Sequence, residues 1–258
     1  MFYIVQDNLF RWENHIESIS LQEHMDRLGL EYETVQILPF IDTIEFKTQR
    51  KDVFAFGALK MARIAKKYDW KPGVIMTPNH DYNVYKNYYK EHLLNYDSKV
   101  IKIKEDFDWE IEQYFIRPTE DTKTFTGKVF EKDEWKNYKH YLLTNGHETT
   151  LTEDTPIQIA TPKKLYKEIR FFIVGGKIST CSQYRLGYKL ALSVDVDQEA
   201  YDFVNEMIKI YQLAEAFVLD VALTKDGWKI VEPGCCSCAG FYKSNIPKLL
   251  ISLENYFN

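Results

Sequence analysis

Cysteine is scarce in this sequence, and three of its four cysteines lie within one short stretch. They are Cys181, Cys235, Cys236 and Cys238. An extracellular disulfide framework spreads its cysteines along the chain, so this arrangement argues against one. Zinc sites usually combine Cys-x₂₋₄-Cys pairs with further cysteines or histidines, and this cluster has neither. We therefore expect reduced, packed thiols, with a metal–thiolate site as the alternative.

The sequence also lacks a long apolar run and an excess of positive charge. No apolar stretch approaches the roughly 18–20 residues that cross a bilayer, and the first residues lack the basic and apolar regions of a signal peptide. We therefore expect a soluble, cytoplasmic protein with no membrane partner. Its 33 lysines and arginines are outnumbered by 38 aspartates and glutamates, giving a formal charge of −5. This balance disfavours broad binding to nucleic acids, although a local basic groove remains open.

The first part of the chain predicts a small α/β lobe. At 258 residues and 45% hydrophobic content, the chain can form one large domain or two small ones around a cleft. Apolar runs predict strands at 2–5 and 32–38, and helical spacing predicts a helix at 14–28 that ends at Gly29. A strand–helix–strand order predicts parallel pairing of the two strands.

The rest of the chain reads mostly as strands, which places it in the α/β (α+β) class. A strand is predicted at 156–160, and Gly175-Gly176 predicts a hairpin turn. A second hairpin is predicted around 225–227, and helices are predicted at 198–213 and 246–256. We place a domain boundary near Ser98, which gives domains of residues 1–97 and 98–258.

Two carboxylates in the second hairpin are the most informative feature. Asp220 lies within the predicted strand 217–223, and Glu232 ends the predicted strand 228–232. The two side chains can therefore lie on one face of the hairpin. An unpaired charge at Asp220 would be costly to bury among its apolar neighbours. Mg²⁺ held by carboxylate oxygens would supply the missing positive charge, and so would a buried ion pair with an arginine or lysine.

Two further segments combine charges with strand patterns. The segment Phe115-Ile-Arg117-Pro118 reads as a strand that ends in a cation, and the Thr/Gly loop after it contains Lys123 and Lys128. Hydroxyls, amides and cations in one loop suit a phosphate chain, although a solvated loop has a similar composition. Glu168-Ile-Arg170 opens another predicted strand with opposite charges on one face, for which a cross-strand ion pair is the simpler interpretation.

Taken in this order, the residues resemble those of the ATP-grasp superfamily. The similarity runs from Val100 to the C-terminus. It is closest to a phage and bacterial branch of uncharacterised ligases related to those that add glutamate to a ribosomal protein. The matching segments are Phe115 to Pro118, Gln158 to Arg170, Leu219-Asp220, Val231-Glu232 and Ala239 to Tyr242. The resemblance implies an ATP-grasp domain of two subdomains that clasp ATP, preceded by a small β-α-β lobe.

The resemblance also implies roles for individual residues. Asp220 and Glu232 would hold Mg²⁺, while Arg170 and Arg185 would face the transferred phosphate or the carboxylate substrate. Lys123 would act there too, in a loop that closes over the γ-phosphate. The residues implied to bind the nucleotide are Arg117 at the α- and β-phosphates, Lys123 and Lys128 at the γ-phosphate, Gln158, Ile159, Ala160 and Thr161 at the adenine, and Glu168 at the ribose.

The reaction implied by the resemblance is amide-bond formation with ATP and Mg²⁺. A substrate carboxylate attacks the γ-phosphorus of ATP to give an acylphosphate, and an amine then displaces the phosphate. The acid and the amine are not identified; they belong to an amino acid, a peptide or a protein. One departure is that Glu232-Pro233-Gly234 replaces the usual Glu-x-Asn, so an asparagine ligand is missing and Ser237 or water would take its place.

Two alternatives remain open. The changed metal motif and the presence of an arginine at 117, where lysine is usual, fit an ATP-binding module with little or no ligase activity that acts through a partner. The segment Tyr82 to Lys90 interleaves tyrosines with lysines, as a surface for stacking on nucleic-acid bases would. This fits an amino-acid ligase that modifies a base, but an amphipathic connector explains the same residues.

Overall fold

The computed structural model describes residues 1–7, 20–38, 43–120, 125–145 and 151–258. Its strands are β1 (Phe2–Gln6), β2 (Tyr32–Val35), β3 (Asp52–Phe56), β4 (Lys71–Gly73), β5 (Lys99–Lys102), β6 (Gln113–Pro118), β7 (Lys128–Glu131), β8 (Pro156–Ala160), β9 (Lys167–Val174), β10 (Lys177–Leu186), β11 (Lys189–Ser193), β12 (Ala216–Thr224) and β13 (Gly227–Cys235). Its α-helices are α1 (Leu21–Leu28), α2 (Lys60–Lys67), α3 (Tyr82–Tyr89), α4 (Lys132–Asn145), α5 (Gln198–Ile210) and α6 (Ile246–Phe257). Within those ranges, no helix has both the length and the apolar character that a bilayer crossing requires.

The chain separates into two compact units. One contains residues 1–77 and 165–258, and the other contains residues 78–164. The division into a lobe of residues 1–97 and an ATP-grasp domain of residues 98–258 remains a prediction.

A parallel sheet in the order β2-β1-β3-β4 forms the first part of the larger unit. β1 pairs in parallel with β2, which confirms the pairing predicted from the strand–helix–strand order. α1 begins at Leu21, where the Ser20 side chain accepts a hydrogen bond from the Glu23 amide, and it ends at Gly29 in the left-handed conformation, at φ 66°. The predicted helix at 14–28 is confirmed from Leu21 onward, and residues 14–19 lie outside the described part.

The same unit contains an antiparallel sheet in the order β11-β10-β9-β12-β13. Both predicted hairpins are present, since β9 pairs with β10 and β12 pairs with β13. β11 was not predicted, because its residues Lys189–Ser193 are exposed or half-buried and carry a weak apolar signal. One apolar core joins the two sheets to α6, and it includes Tyr3, Phe54, Phe56, Phe172, Val218, Leu249 and Leu253.

β13 runs further than the sequence predicts. The prediction that Glu232 ends this strand is wrong, because the strand continues through Pro233 and Gly234 to Cys235. Proline usually interrupts a sheet because it has no N–H to donate. β13 lies at the edge of the sheet and pairs with β12 on one side only, so a proline there is tolerated.

The smaller unit contains an antiparallel sheet in the order β5-β8-β6-β7. β8 has the bounds predicted for it. α4 occupies a stretch that the sequence presents as a charged connector, because only Trp135 and Leu142 of this helix are buried. α3 was also missed, and it buries Tyr82, Tyr85 and Tyr89. Three of the four tyrosines considered as a base-stacking surface are therefore inside this unit, as an amphipathic connector requires.

Candidate active site

One face of the antiparallel sheet changes from apolar to charged along β9. Alternate residues of a strand share a face, so Phe172 and Val174 in the core lie on the same face as Arg170 and Glu168. On the neighbouring strand β12, Asp220 is directly opposite Arg170. The sheet therefore places opposite charges side by side at the end of its own hydrophobic core.

Arg170 and Asp220 form a bidentate ion pair. The Arg170 Nε and Nη2 atoms donate to the two carboxylate oxygens of Asp220, each at 2.8 Å, and Nη1 donates to the Gly240 carbonyl oxygen at 3.2 Å. Burial alone lowers the pKa of the Arg170 guanidinium, but the Asp220 carboxylate outweighs burial and raises that pKa above its ordinary value. The buried ion pair considered for Asp220 from the sequence is confirmed. Each carboxylate oxygen has a second lone pair, so the pair does not use the full acceptor capacity of Asp220.

Glu168 has different partners from Arg170, although the two share one strand. The Tyr184 hydroxyl donates to Glu168 Oε2 at 2.9 Å and lies 3.4 Å from Asp220 Oδ2. The Arg185 Nη1 atom is 2.9 Å from Glu168 Oε1. Burial raises the pKa of the Glu168 carboxyl above its ordinary value, and Tyr184 and Arg185 act in the opposite direction. Tyr184 was missed from the sequence because its inward position depends on a bulge in β10 between Gln183 and Arg185.

Glu232 completes this group from the edge strand. It is directly opposite Asp220, as predicted for one face of the hairpin, and the register of the two strands shifts immediately beside this pair. Burial raises the pKa of the Asp220 carboxyl; Arg170 acts against that shift, and the negative charge of Glu232 adds to it. The six residues that we call the carboxylate cluster are Glu168, Arg170, Tyr184, Arg185, Asp220 and Glu232. They combine three carboxyl groups with two guanidinium groups.

A loop after β13 covers Arg170. The Tyr242 ring stacks on the Tyr184 ring, with centroids 4.8 Å apart and an interplanar angle of 14°. The Arg170 guanidinium lies 5.0 Å from the centroid of the Tyr242 ring, a distance at which the cation and the ring attract each other. Tyr242 has a positive φ of 50°, a conformation that side chains other than glycine adopt at an energetic cost. The sequence suggested this segment by resemblance only and did not show the stack.

The smaller unit contains the residues implied to bind the nucleotide phosphates. Arg117 on β6 is directly opposite Gln158 on β8. A Cβ atom at Gly127 would lie 2.6 Å from the Arg117 Cβ atom, so the chain approaches Arg117 too closely for any other residue. Lys128 begins β7 and forms an ion pair with Glu134 at 2.6 Å, so the predicted loop has already become a strand at this residue. Lys123 lies outside the described residues.

The implied adenine-binding segment lies at the end of β8. Gln158 is buried, and its Nε2 atom donates to Ser98 Oγ at 2.9 Å and to the Asn95 carbonyl at 3.3 Å. Ile159 pairs with strands on both sides, and Ala160 is the last residue of the strand. Thr161 is exposed after the strand ends. The backbone leaves the sheet between Ala160 and Thr161, so this junction is where backbone groups become accessible to a ligand.

The cysteines are buried and contribute no disulfide. All four have free thiols, which confirms the expectation of reduced, packed cysteines. Burial raises the pKa of the Cys236 thiol, which disfavours the thiolate that a metal would require. Over the described ranges, no group of three or more histidine, cysteine, aspartate or glutamate side chains is arranged to hold a metal ion.

The mixed α/β architecture and the carboxylate cluster agree with the family comparison. Residues 56–253 match a family of ATP-grasp domains, the third family of its clade. Because this match covers most of the chain, the protein belongs to that ATP-grasp family. No curated protein sequence matches the chain.

Solved structures share this fold at low sequence identity. D-cycloserine synthetase DcsG aligns over 100% of this chain and 99% of its own, with a TM-score of 0.65 and 11% identity. A RimK domain ATP-grasp protein from Sphaerobacter thermophilus aligns over 100% and 96%, with a TM-score of 0.57 and 13% identity. The ATP-grasp ligase PsnB, complexed with a phosphomimetic variant of a minimal precursor, Mg and ADP, aligns over 100% and 97%, with a TM-score of 0.57 and 10% identity. The ATP-grasp fold predicted from the sequence is confirmed.

Proposed function

We propose that this protein is an ATP-dependent carboxylate–amine ligase that forms an amide bond through an acylphosphate. The carboxylate cluster is the observation that carries the proposal, because it places three carboxyl groups and two guanidinium groups at one end of a sheet in a chain of the ATP-grasp family. Structural relatives named as a synthetase and a ligase, one of them with Mg and ADP, support the same chemistry. The substrate is an amino acid, a peptide or a protein.

The cluster fits a magnesium ion. Its carboxyl groups outnumber its guanidinium groups, and Asp220 and Glu232 are opposite each other, so a cation would relieve the repulsion between them. Mg²⁺ in nucleotide-binding sites is typically held by one or two carboxylates, with phosphate oxygens and water filling the other positions. The missing asparagine of the Glu-Pro-Gly segment is therefore compatible with binding. Bound at Asp220 and Glu232, the ion would neutralise charge on the phosphate oxygens.

The protein's own cations would orient the reacting groups. Asp220 and Tyr242 hold the Arg170 guanidinium in one position, and a preorganised cation stabilises developing negative charge without reorganisation during the reaction. Arg185 is half exposed, so its guanidinium is accessible to a phosphate or carboxylate. We assign both arginines to the transferred phosphate or the acid substrate. No protein nucleophile is needed, since positioning and charge neutralisation account for phosphoryl transfer.

We assign nucleotide binding to the smaller unit and to Glu168. Arg117 would contact the α- and β-phosphates, and Lys123 and Lys128 the γ-phosphate. The chain from Gln158 through Ile159 and Ala160 to Thr161 would contact adenine, and Glu168 the ribose. We place the protein in the cytoplasm, where ATP is available and thiols stay reduced.

Thermal stability with and without Mg²⁺-ATP tests nucleotide binding. A ligand that binds only the folded state raises the melting temperature by mass action. We expect a shift at millimolar Mg²⁺-ATP and loss of most of it in Arg117→Ala, with the fold retained. Absence of a shift in the wild type contradicts the proposal.

Phosphate release with a panel of amino acids and peptides tests ligation. Asp220→Asn and Glu232→Gln should keep the fold but lower phosphate release by about a hundred-fold or more, because the cation acts mainly on charge in the transition state. Asp226→Asn is the matched control, since Asp226 is an exposed carboxylate in the turn of the same hairpin. A wild type that binds Mg²⁺-ATP but releases no phosphate with any substrate would instead support the ATP-binding module.

A further inference from the structure

A cavity of about 660 Å³ lies along the first half of β10. β11 pairs with β10 only from Gln183 onward, so residues 177–182 have a neighbouring strand on one side only. Tyr201 and Asn205 of α5 border the cavity, as do Asn245 and Lys248 at the start of α6. Its volume is within the range of small-molecule sites. The cavity is therefore an open strand edge between two helices.

The lining of this cavity is positively charged. It contains two lysines, Lys177 and Lys248, and no aspartate or glutamate. Within the described ranges, neither ammonium group has an ion-pair or hydrogen-bond partner, and the Asn205 amide has none. Unpaired cations around a concave surface attract anions and disfavour cationic or apolar ligands.

The floor of the cavity is already satisfied internally. Cys181 Sγ lies 2.9 Å from the Tyr201 hydroxyl, and Thr180 Oγ1 accepts a hydrogen bond from the Asn245 amide at 2.8 Å. Ser179 Oγ contacts Ser252 Oγ at 2.8 Å. Because these groups are engaged with one another, the two lysines and Asn205 are the groups left for a ligand.

This cavity is separate from the carboxylate cluster. Lys177 precedes Arg185 by eight positions on β10, which corresponds to about 26 Å along a strand. Cys181 precedes Arg185 by four positions, or about 13 Å. The proposed ligase reaction uses none of the cavity residues, so an inference about the cavity does not depend on that reaction.

We propose that this cavity binds a small organic anion bearing a carboxylate, whose charge is met by Lys177 and Lys248 and whose other polar groups are met by Asn205.

Alkylation of Cys181 by two nearly isosteric reagents tests the proposal. Iodoacetate carries a carboxylate and iodoacetamide is neutral, and peptide mass spectrometry reports the rate at Cys181 alone. In the full-length protein, the iodoacetate-to-iodoacetamide rate ratio at Cys181 should exceed the ratio for glutathione by about five-fold, because nearby cations concentrate the anionic reagent. The ratio is used because it cancels any effect on the reactivity of the thiol itself.

Variants and a competitor identify the source of this preference. Lys248→Met and Lys177→Met should each lower the ratio towards the glutathione value, and Lys209→Met, a lysine of α5 outside the cavity, should not. Succinate should slow alkylation of Cys181 in the wild type, and succinamide, a neutral molecule of similar size, should not.

Three results would overturn the inference. One is a ratio equal to that of glutathione, and another is a raised ratio that both lysine variants preserve. The third is no alkylation of Cys181 by either reagent in the folded protein, which would show that the cavity does not admit a carboxylate of this size. If one lysine variant does not fold, the other variant and the succinate competition still decide the question.

Discussion

Replacing Arg170 by methionine would leave the Asp220 carboxylate buried without the cation that now donates two hydrogen bonds to it. The side chains of Arg170 and Asp220 are 14% and 4% exposed, so water does not replace the lost partner. Removing one member of a buried ion pair costs about 3–5 kcal/mol. With a urea dependence of about 3 kcal/mol per molar, the midpoint of unfolding should fall by about 1 M or more.

Arg185→Met is the matched control for this substitution. Arg185 also pairs with a buried carboxylate, but its side chain is 49% exposed and Glu168 keeps its hydrogen bond from Tyr184. An exposed ion pair contributes about 0–1 kcal/mol, so the midpoint should move little. Urea unfolding followed by circular dichroism measures both variants under the same conditions.

A double substitution separates the ion pair from simple loss of packing. Arg170→Met combined with Asp220→Leu removes both charges, so the double variant should be more stable than Arg170→Met alone. Millimolar Mg²⁺ should recover part of the stability lost in Arg170→Met, since the ion would supply the missing positive charge. The reasoning fails if Arg170→Met costs no more than Arg185→Met, or if the costs of the two single substitutions simply add.

Three further predictions concern the rest of the molecule. Gly127→Ala should lower the free energy of unfolding by about 1–3 kcal/mol in urea titrations, because its Cβ atom would lie 2.6 Å from the Arg117 Cβ atom; an unchanged midpoint would show that the neighbouring chain can move away. Replacing the three clustered cysteines by alanine should preserve the thermal shift with Mg²⁺-ATP, and stoichiometric zinc in the purified wild type would contradict the reduced-thiol interpretation. Burial raises the pKa of Glu168, so the folded protein binds a proton that the unfolded chain releases. The stability of the wild type relative to Glu168→Gln should therefore fall as pH rises from the ordinary pKa of glutamate through the raised value, and a difference independent of pH in urea titrations would argue against the raised pKa.

Features encoded within short stretches were predictable from the sequence. Alternating and helical spacing predicted β1, α1 and β2 and their parallel pairing, and turn residues predicted the β12–β13 hairpin. That hairpin brings Asp220 and Glu232 opposite each other from positions twelve residues apart. Local spacing is sufficient here because one turn fixes the register of both strands. α4 escaped prediction because its buried residues are too few to form a clear helical stripe.

The partners of the charged residues were decided by the tertiary structure alone. Arg170 meets Asp220 across 50 positions of sequence, and which residues face each other depends on the register between β9 and β12. Tyr184 reaches both carboxylates because a bulge shifts β10 by one residue, and Tyr242 stacks on it from a loop folded back over the sheet. A shift of one residue in register moves every side chain of a strand to the other face. The sequence therefore supplies the charges of the site, but only the assembled sheet determines which of them form pairs.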